Sequence, residues 1–218
     1  MSRQTPRPEE LELPEFLMPY EASPPAPAPP AATAAPDLHQ SGLWIFILGD
    51  MTLFGAFFAG FALQARSQAD VFAGSAETLL LGVGAVNTLI LLTSSLFVVV
   101  ATRAVAADDR PAAARALLAT LLCALLFAGL KLTAYGVELS AGYTPTTNLF
   151  FTYYFVLTGI HLMHVVVGMA LLLVAWRGLR REAGGVSVSF VEGAGIYWHM
   201  VDLLWVVLFP LLYIAWLP

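Results

Sequence analysis

The chain has 218 residues, of which 59% are hydrophobic and 11% charged, with a formal net charge of -5 and a mean hydropathy of +0.77. Soluble domains carry roughly 25% charged residues, so this composition excludes a soluble globular protein and identifies an integral membrane protein, with no basic surface for a nucleic-acid partner. The single cysteine, Cys123, excludes an internal disulfide and, within one chain, iron–sulfur clusters and thiolate zinc sites.

Residues 1–40 read as a tail, with Glu9, Glu10, Glu12, Glu15 and Glu21 followed by the run PPAPAPPAATAAP. A proline–alanine stretch without large apolar residues has nothing to bury, so the tail is expected to be disordered, and it lacks an apolar run of signal-peptide type. Residues 41–218 form the membrane domain. Five apolar segments follow, at about 43–65, 79–102, 114–137, 147–176 and 193–217. Each reaches the ~20 residues that span a hydrocarbon core of about 30 Å, and lipid tolerates no unsatisfied backbone, so each is a helix. The fold class is therefore all-α, a polytopic five-helix transmembrane bundle. Arg103, Arg110 and Arg115 flank the second connection and Arg177, Arg180 and Arg181 the fourth, whereas the first has only Arg66 and the third none. The positive-inside rule puts the even connections and the N-terminal tail in the cytoplasm and the C-terminus on the periplasmic side.

The first segment, WIFILGDMTLFGAFFAGF, holds Asp50. An intramembrane carboxylate is a functional candidate by default, here for a proton or lipid role, with a structural hydrogen bond as the other reading. Phe54, Phe57, Phe58 and Phe61 recur at helical spacing and read as packing or lipid-facing residues. The second segment, with Asn87, Thr88, Thr93, Ser94 and Ser95, supplies small hydroxyl residues that let helices approach and hydrogen-bond. The third carries Lys131 and Tyr135 one turn apart, with Glu138 near its end. Lys131 either snorkels or pairs with a carboxylate, and its depth in the segment favours pairing.

The fourth segment, FFTYYFVLTGIHLMHVVVGM, places His161 and His164 one turn apart on a common side. Imidazole is a common metal and haem ligand, so these rings together with His199 raise a metal hypothesis; the alternative is that each ring bridges two helices through its nitrogens. In the fifth segment, YWHMVDLLW carries His199 and Asp202 three residues apart, and Glu192 precedes His199 by two helical turns. All three are expected on one face, turned away from lipid into a buried polar network.

Four segments, WIFILGDMTLFGAFF, NTLILLTSS, TGIHLMHVVVG and FVEGAGIYWHMVDLLWVVLF, in this order on successive helices, resemble subunit III of the haem-copper oxidases, cytochrome c oxidase subunit III. The resemblance runs from about Trp44 to Tyr213 and is greatest to the short, NorE-type proteins associated with nitric oxide reductase. Longer family members have seven helices, the first two of which form a lipid-holding cleft with the rest; this chain matches the later five. Family members usually carry glutamate where Asp50 stands, and often a glutamate where Ala134 stands. The resemblance implies that this chain binds no metal or cofactor and has no catalytic residue. Haem, with copper or iron, would belong to a catalytic partner subunit of an oxidase or nitric oxide reductase. It further implies an accessory role in assembly, sustained turnover and proton uptake near Asp50, in a bacterial cytoplasmic membrane with lipids as further partners. On that reading His161, His164, Glu192, His199, Asp202, Asn87, Lys131 and Tyr135 form a buried hydrogen-bond network. Two competing functions are a histidine-ligated haem electron-transfer protein and a small proton-coupled transporter, against which the absence of inverted repeats argues.

Overall fold

A computed structural model describes residues 38–181 and 185–216, and within them every regular element is helical. The expected disordered tail lies outside these residues up to position 37. From Leu38 onward the chain is helix, and the first candidate span within that helix is Gly42–Ser67. The elements are α1 (Leu38–Ser67), α2 (Ala69–Ala76), α3 (Leu81–Ala106), α4 (Arg110–Ser140), α5 (Leu149–Leu179) and α6 (Val188–Phe209), the last continued by a π-helical turn at Pro210–Ile214. Among the described residues five helices are long and apolar enough to cross a membrane, and the chain is a multi-pass membrane protein.

At their C-terminal ends α1, α3, α4 and α5 outrun the apolar segments that predicted them, while α3 and α5 start two residues later than expected. Segment ends were set by the first charged residues, but Arg66, Arg103, Arg110, Glu138 and Arg177 all lie within helix. A long side chain reaches the headgroup region while its own backbone stays hydrogen-bonded, so charge ends an apolar run before it ends a helix. At 31 residues each, α4 and α5 are about 46 Å long, more than the hydrocarbon core requires. Local chemistry sets several of the starts. Asp109 accepts from the Ala112 backbone N–H at 3.0 Å, Asn148 from Phe151 at 3.0 Å and Ser187 from Phe190 at 3.2 Å, each supplying an acceptor that the first helical turn lacks. Asp108 turns the α3–α4 connection with φ 57, a conformation that Asp tolerates better than bulkier residues. The polar stretch between the first two spans holds the short helix α2, which is pinned when Asn148 donates from Nδ2 to Ser75 Oγ at 2.9 Å.

Four helices form a closed ring in which α3 packs on α4, α4 on α5, α5 on α6 and α6 back on α3, with α1 outside it against α5 and α6. The ring interior is filled by large rings, with Trp198, Trp205, Tyr154 and Phe127 all fully buried. Of the phenylalanine run on α1, Phe54 and Phe61 are buried and Phe57 and Phe58 half-buried. Two glycines make the close approaches possible. A Cβ on Gly168 of α5 would stand 2.7 Å from the Trp198 ring, and one on Gly84 of α3 would stand 2.8 Å from Phe209.

The Trp198 seat yields a stability prediction. Gly168→Val forces the indole out of a filled interior, and overpacking of this kind costs about 1–3 kcal/mol. Unfolding in mild detergent should show that loss. The same substitution at Gly55, where a Cβ meets nothing within 4 Å, should leave stability nearly unchanged.

Candidate functional site

α1 and α5 are joined through Asp50 and His164. His164 lies fifteen residues from either end of α5, at mid-length, and its side chain is 7% exposed against 13% for Asp50. Its Nδ1 is 2.8 Å from the Ile160 carbonyl oxygen and its Nε2 is 3.1 Å from Asp50 Oδ2. A carbonyl oxygen only accepts, so the hydrogen on the first of these bonds is carried by Nδ1. The bond between Nε2 and Oδ2 then needs one further proton. It is held either by the ring, giving an imidazolium facing a carboxylate, or by the acid, giving a neutral pair. Both ring nitrogens of His164 are therefore engaged, one by its own helix and one by Asp50. Tyr197 of α6 donates to the His164 carbonyl at 3.3 Å and Phe54 packs edge-on against the imidazole, which fixes the ring from two further sides.

A second cluster surrounds Lys131 on α4, which is 1% exposed. Depth in the segment favoured a carboxylate partner, but among the described residues the only acid–base contacts within 4 Å are His164–Asp50 and Arg110–Asp108. Lys131 Nζ instead donates to Tyr154 Oη at 3.1 Å and Tyr213 Oη at 3.4 Å, and it lies over the rings of Tyr154 (4.3 Å), Tyr135 (4.9 Å), Trp205 (5.4 Å) and Tyr213 (5.9 Å). Aromatic faces and phenolic oxygens take the place of the carboxylate, attracting the ammonium through the ring quadrupoles. Glu138, two turns further along α4, is buried without a salt bridge to Lys131. The π turn helps to build this cage. Pro210 has no N–H to donate, the Ala215 N–H reaches back five residues to the Pro210 carbonyl at 2.9 Å, and Tyr213 sits within that wide turn. Beside it, Tyr135 Oη is 2.6 Å from Thr158 Oγ1. Thr158 spends its own hydrogen on the Tyr154 carbonyl at 2.6 Å, so Tyr135 is the donor.

The stripe expected on the last helix divides. His199 is half-buried, with Nδ1 2.6 Å from Ser95 Oγ of α3. Asp202 is buried, and neither of its carboxylate oxygens has a hydrogen-bond partner among the described residues. Glu192 does not join the network. It is exposed and lines a cleft of about 440 Å³ with Leu43 and Trp44 of α1, on an outward strip of α6 that it shares with the exposed Ile196 and Leu203, while Val191 and Ala194 of the same turns are buried. His161 is fully buried between Phe127 and Trp205, ring centroids 5.7 and 5.2 Å away, with neither nitrogen bonded. Asn87 is buried with its Oδ1 unpartnered. The expected single network is thus two separate clusters, the His199–Ser95 pair, and Asn87, His161 and Asp202 with unpartnered polar atoms on α3, α5 and α6. Among the described residues no three His, Cys, Asp or Glu side chains converge as a metal-ligand set.

Sequence reasoning missed several partners: Tyr154, Tyr213, Thr158 and Ser95, and the indoles that seat α6 on α3. Trp198 Nε1 donates to Ser94 Oγ at 3.0 Å and Trp205 Nε1 to Thr88 Oγ1 at 3.1 Å. The sequence marks these hydroxyls as small residues able to pack and hydrogen-bond between helices, but it does not name the indoles as their partners. The seven-residue spacing of the two tryptophans, matched by the six-residue spacing of Thr88 and Ser94, was the available signal.

The sequence profile of the family described as cytochrome c oxidase subunit III matches residues 33–217. The chain is 34% identical over 183 residues to cytochrome c oxidase subunit 3 of Thermostichus vulcanus, covering 82% of this chain and 88% of that one. It is 34% identical over 186 residues to the Synechocystis protein of the same name, covering 82% and 76%. A third relative, the heme-copper oxidase subunit I+III of Aeropyrum pernix, is 30% identical over 188 residues, which make up 82% of this chain and 23% of that longer one.

The proton shared by Asp50 and His164 predicts energetic coupling. In a double-mutant cycle built from Asp50→Ala, His164→Ala and the pair, the coupling energy should fall at about 0.5–3 kcal/mol, the range for residues in direct contact. The same cycle between Asp50 and Asp202 should give additive losses.

Proposed function

The chain belongs to the cytochrome c oxidase subunit III family, and we propose that it works as an accessory, non-catalytic subunit beside the catalytic subunit of a respiratory haem-copper oxidase in a bacterial cytoplasmic membrane. In this role it holds a proton at the Asp50–His164 pair and sustains the partner's turnover. The observation that carries the proposal is the Asp50–His164 contact at 3.1 Å, shielded from the surface, which joins α1, outside the ring, to the mid-length of α5. Redox chemistry at haem and metal belongs to the partner. What this chain supplies is a fixed imidazole, a carboxylate facing it, and a bundle that excludes lipid from both.

Three further observations support the reading. A relative whose name combines subunits I and III supports placing this chain against a subunit I. Relatives named cytochrome c oxidase subunit 3 favour an oxidase over a nitric oxide reductase as the parent complex. The arginines around the α3–α4 connection and at the end of α5 favour an orientation with those ends in the cytoplasm, and hence α2 and the α4–α5 connection on the opposite side.

Deleting this chain from the complex should leave the partner's haem spectrum unchanged and shorten sustained turnover. Asp50→Asn, which keeps a hydrogen-bonding side chain but cannot exchange a proton, should reproduce part of that loss, more strongly as pH rises and protons become scarce. Steady-state oxygen consumption across pH, with assembly followed on native gels, checks both. Unchanged turnover in Asp50→Asn would remove the proton role and leave assembly. Reporter fusions test the orientation: a periplasmic signal from a fusion at Asp109 would refute it.

A further inference from the structure

Three polar side chains inside the ring carry atoms that no other group among the described residues meets. Asn87 of α3 is 1% exposed with Oδ1 unpartnered, His161 of α5 is 0% exposed with neither ring nitrogen bonded, and Asp202 of α6 is 4% exposed with neither oxygen bonded. Helix register brings two of them to one level. Thr120 Oγ1 stands 3.5 Å from the Ser94 carbonyl oxygen, which sets α4 against α3, and two turns further along both helices Asn87 comes level with Phe127. Phe127 packs edge-on against His161 at 5.7 Å and against Trp205 at 5.0 Å, and Trp205 Nε1 donates to Thr88, the residue after Asn87. Asn87, Phe127, His161 and Trp205 therefore form one layer, with one residue from each helix of the ring. Asp202 lies one turn before Trp205 on α6, and Lys131 one turn after Phe127 on α4.

We propose that this part of the ring is a binding site for internal water, a small hydrogen-bonded cluster held between Asn87, His161 and Asp202. A polar atom left unmet in a low-dielectric interior is costly, and the apolar walls offer no relief: Phe127 presents only its ring, and the Trp205 N–H is already donated to Thr88. The chemistry of the unmet atoms selects the ligand. A neutral imidazole carries one N–H and one lone pair, so its partners must both accept and donate, while the Asn87 oxygen asks for a donor. A carboxyl group accepts and, when it carries its proton, also donates. Water meets every one of these demands, and several polar partners are what holds a water inside a protein. A cation would leave the imidazole N–H unmet and would be repelled by the Lys131 ammonium one turn away. The cluster is bounded on one side by the Lys131 cage and on the other by the Ser95–His199 pair. Water in this place links Asp202 to His161, so that protons exchange between two helices without entering lipid. The site is separate from the Asp50–His164 pair, which faces α1, and it rests on the membrane-spanning fold alone, independently of any oxidase partner.

The full-length chain in phosphatidylcholine bilayers, isotopically labelled at the histidine and tryptophan ring nitrogens, can be read by solid-state NMR as magnetisation passed from water to each ring. His161→Phe identifies the His161 signals by their loss. Water should reach the His161 ring about five-fold faster, or more, than the Trp198 indole N–H, which is equally buried but donates to Ser94. Asn87→Leu, which removes the acceptor at little change in size, should slow transfer to His161 by about three-fold or more and leave Trp198 unchanged. Asp202→Leu should slow it as well, whereas Asp202→Asn, which keeps polar atoms in place, should retain most of it. Transfer to His161 no faster than to Trp198 would overturn the proposal. Because that comparison is made within the unaltered chain, it decides even where a variant fails to fold. Transfer unchanged in both Asn87→Leu and Asp202→Leu, with helicity intact by circular dichroism, would overturn it too.

Discussion

Among the described residues, the hydrogen bond between Asp50 and His164 is the one side-chain bond that ties α1 to the ring of α3 to α6. The rest of α1 meets its neighbours through apolar contacts, which lipid tails can replace at little cost, since helix association in a bilayer has no hydrophobic driving force of its own. A carboxylate at that depth has no such alternative. Exposed to hydrocarbon it is expensive, so α1 must present Asp50 to a partner, and His164 is the partner offered. The rotation and depth of α1 follow from this bond. The outward face of α1, with Trp44, Ile45, Leu48 and Leu63 exposed, is what remains once Asp50 is turned inward.

The same constraint is met differently at Lys131. A buried ion pair compensates desolvation only with favourable geometry and full hydrogen bonding, and tyrosines provide an alternative that adds no second charge to the interior. Two phenolic oxygens and four ring faces surround the ammonium, drawn from α4, α5, α6 and the π turn. Lys131 thereby joins α4, α5, α6 and the π turn at one point. The indoles do comparable work between α3 and α6. Each buries a large apolar area and spends its one N–H on a hydroxyl that the facing helix presents at matching spacing.

Polar groups at the ends of the bundle obey another rule. Arginines near the helix ends reach the headgroup region, where charge is stable, and they carry orientation information for that reason. Three of them converge on one cleft because the start of α4 and the end of α5 lie side by side in the ring. Glu192 is exposed as well, two turns before the half-buried His199, on the outward side of a helix whose Val191 and Ala194 are already packed in the core.

The all-helical membrane fold, the number of spans and the family were legible in the sequence, because lipid imposes helicity on any long apolar segment and because four motifs recur in order. The candidate residues were legible one by one: Asp50, His164, Lys131 and Asp202 stand out by being polar where polarity is costly. Their pairing was not. Helical periodicity says which residues of one helix share a face, so it aligned Glu192 with His199 and Asp202. It carries no information on how far a face extends into the packed ring, or on which residue of another helix stands opposite. That Asp50 meets His164, that Lys131 meets tyrosines rather than an acid, and that Asp202 meets no partner among the described residues are consequences of depth and rotation between helices. Those are fixed only when large rings such as Trp198 find the glycines that admit them.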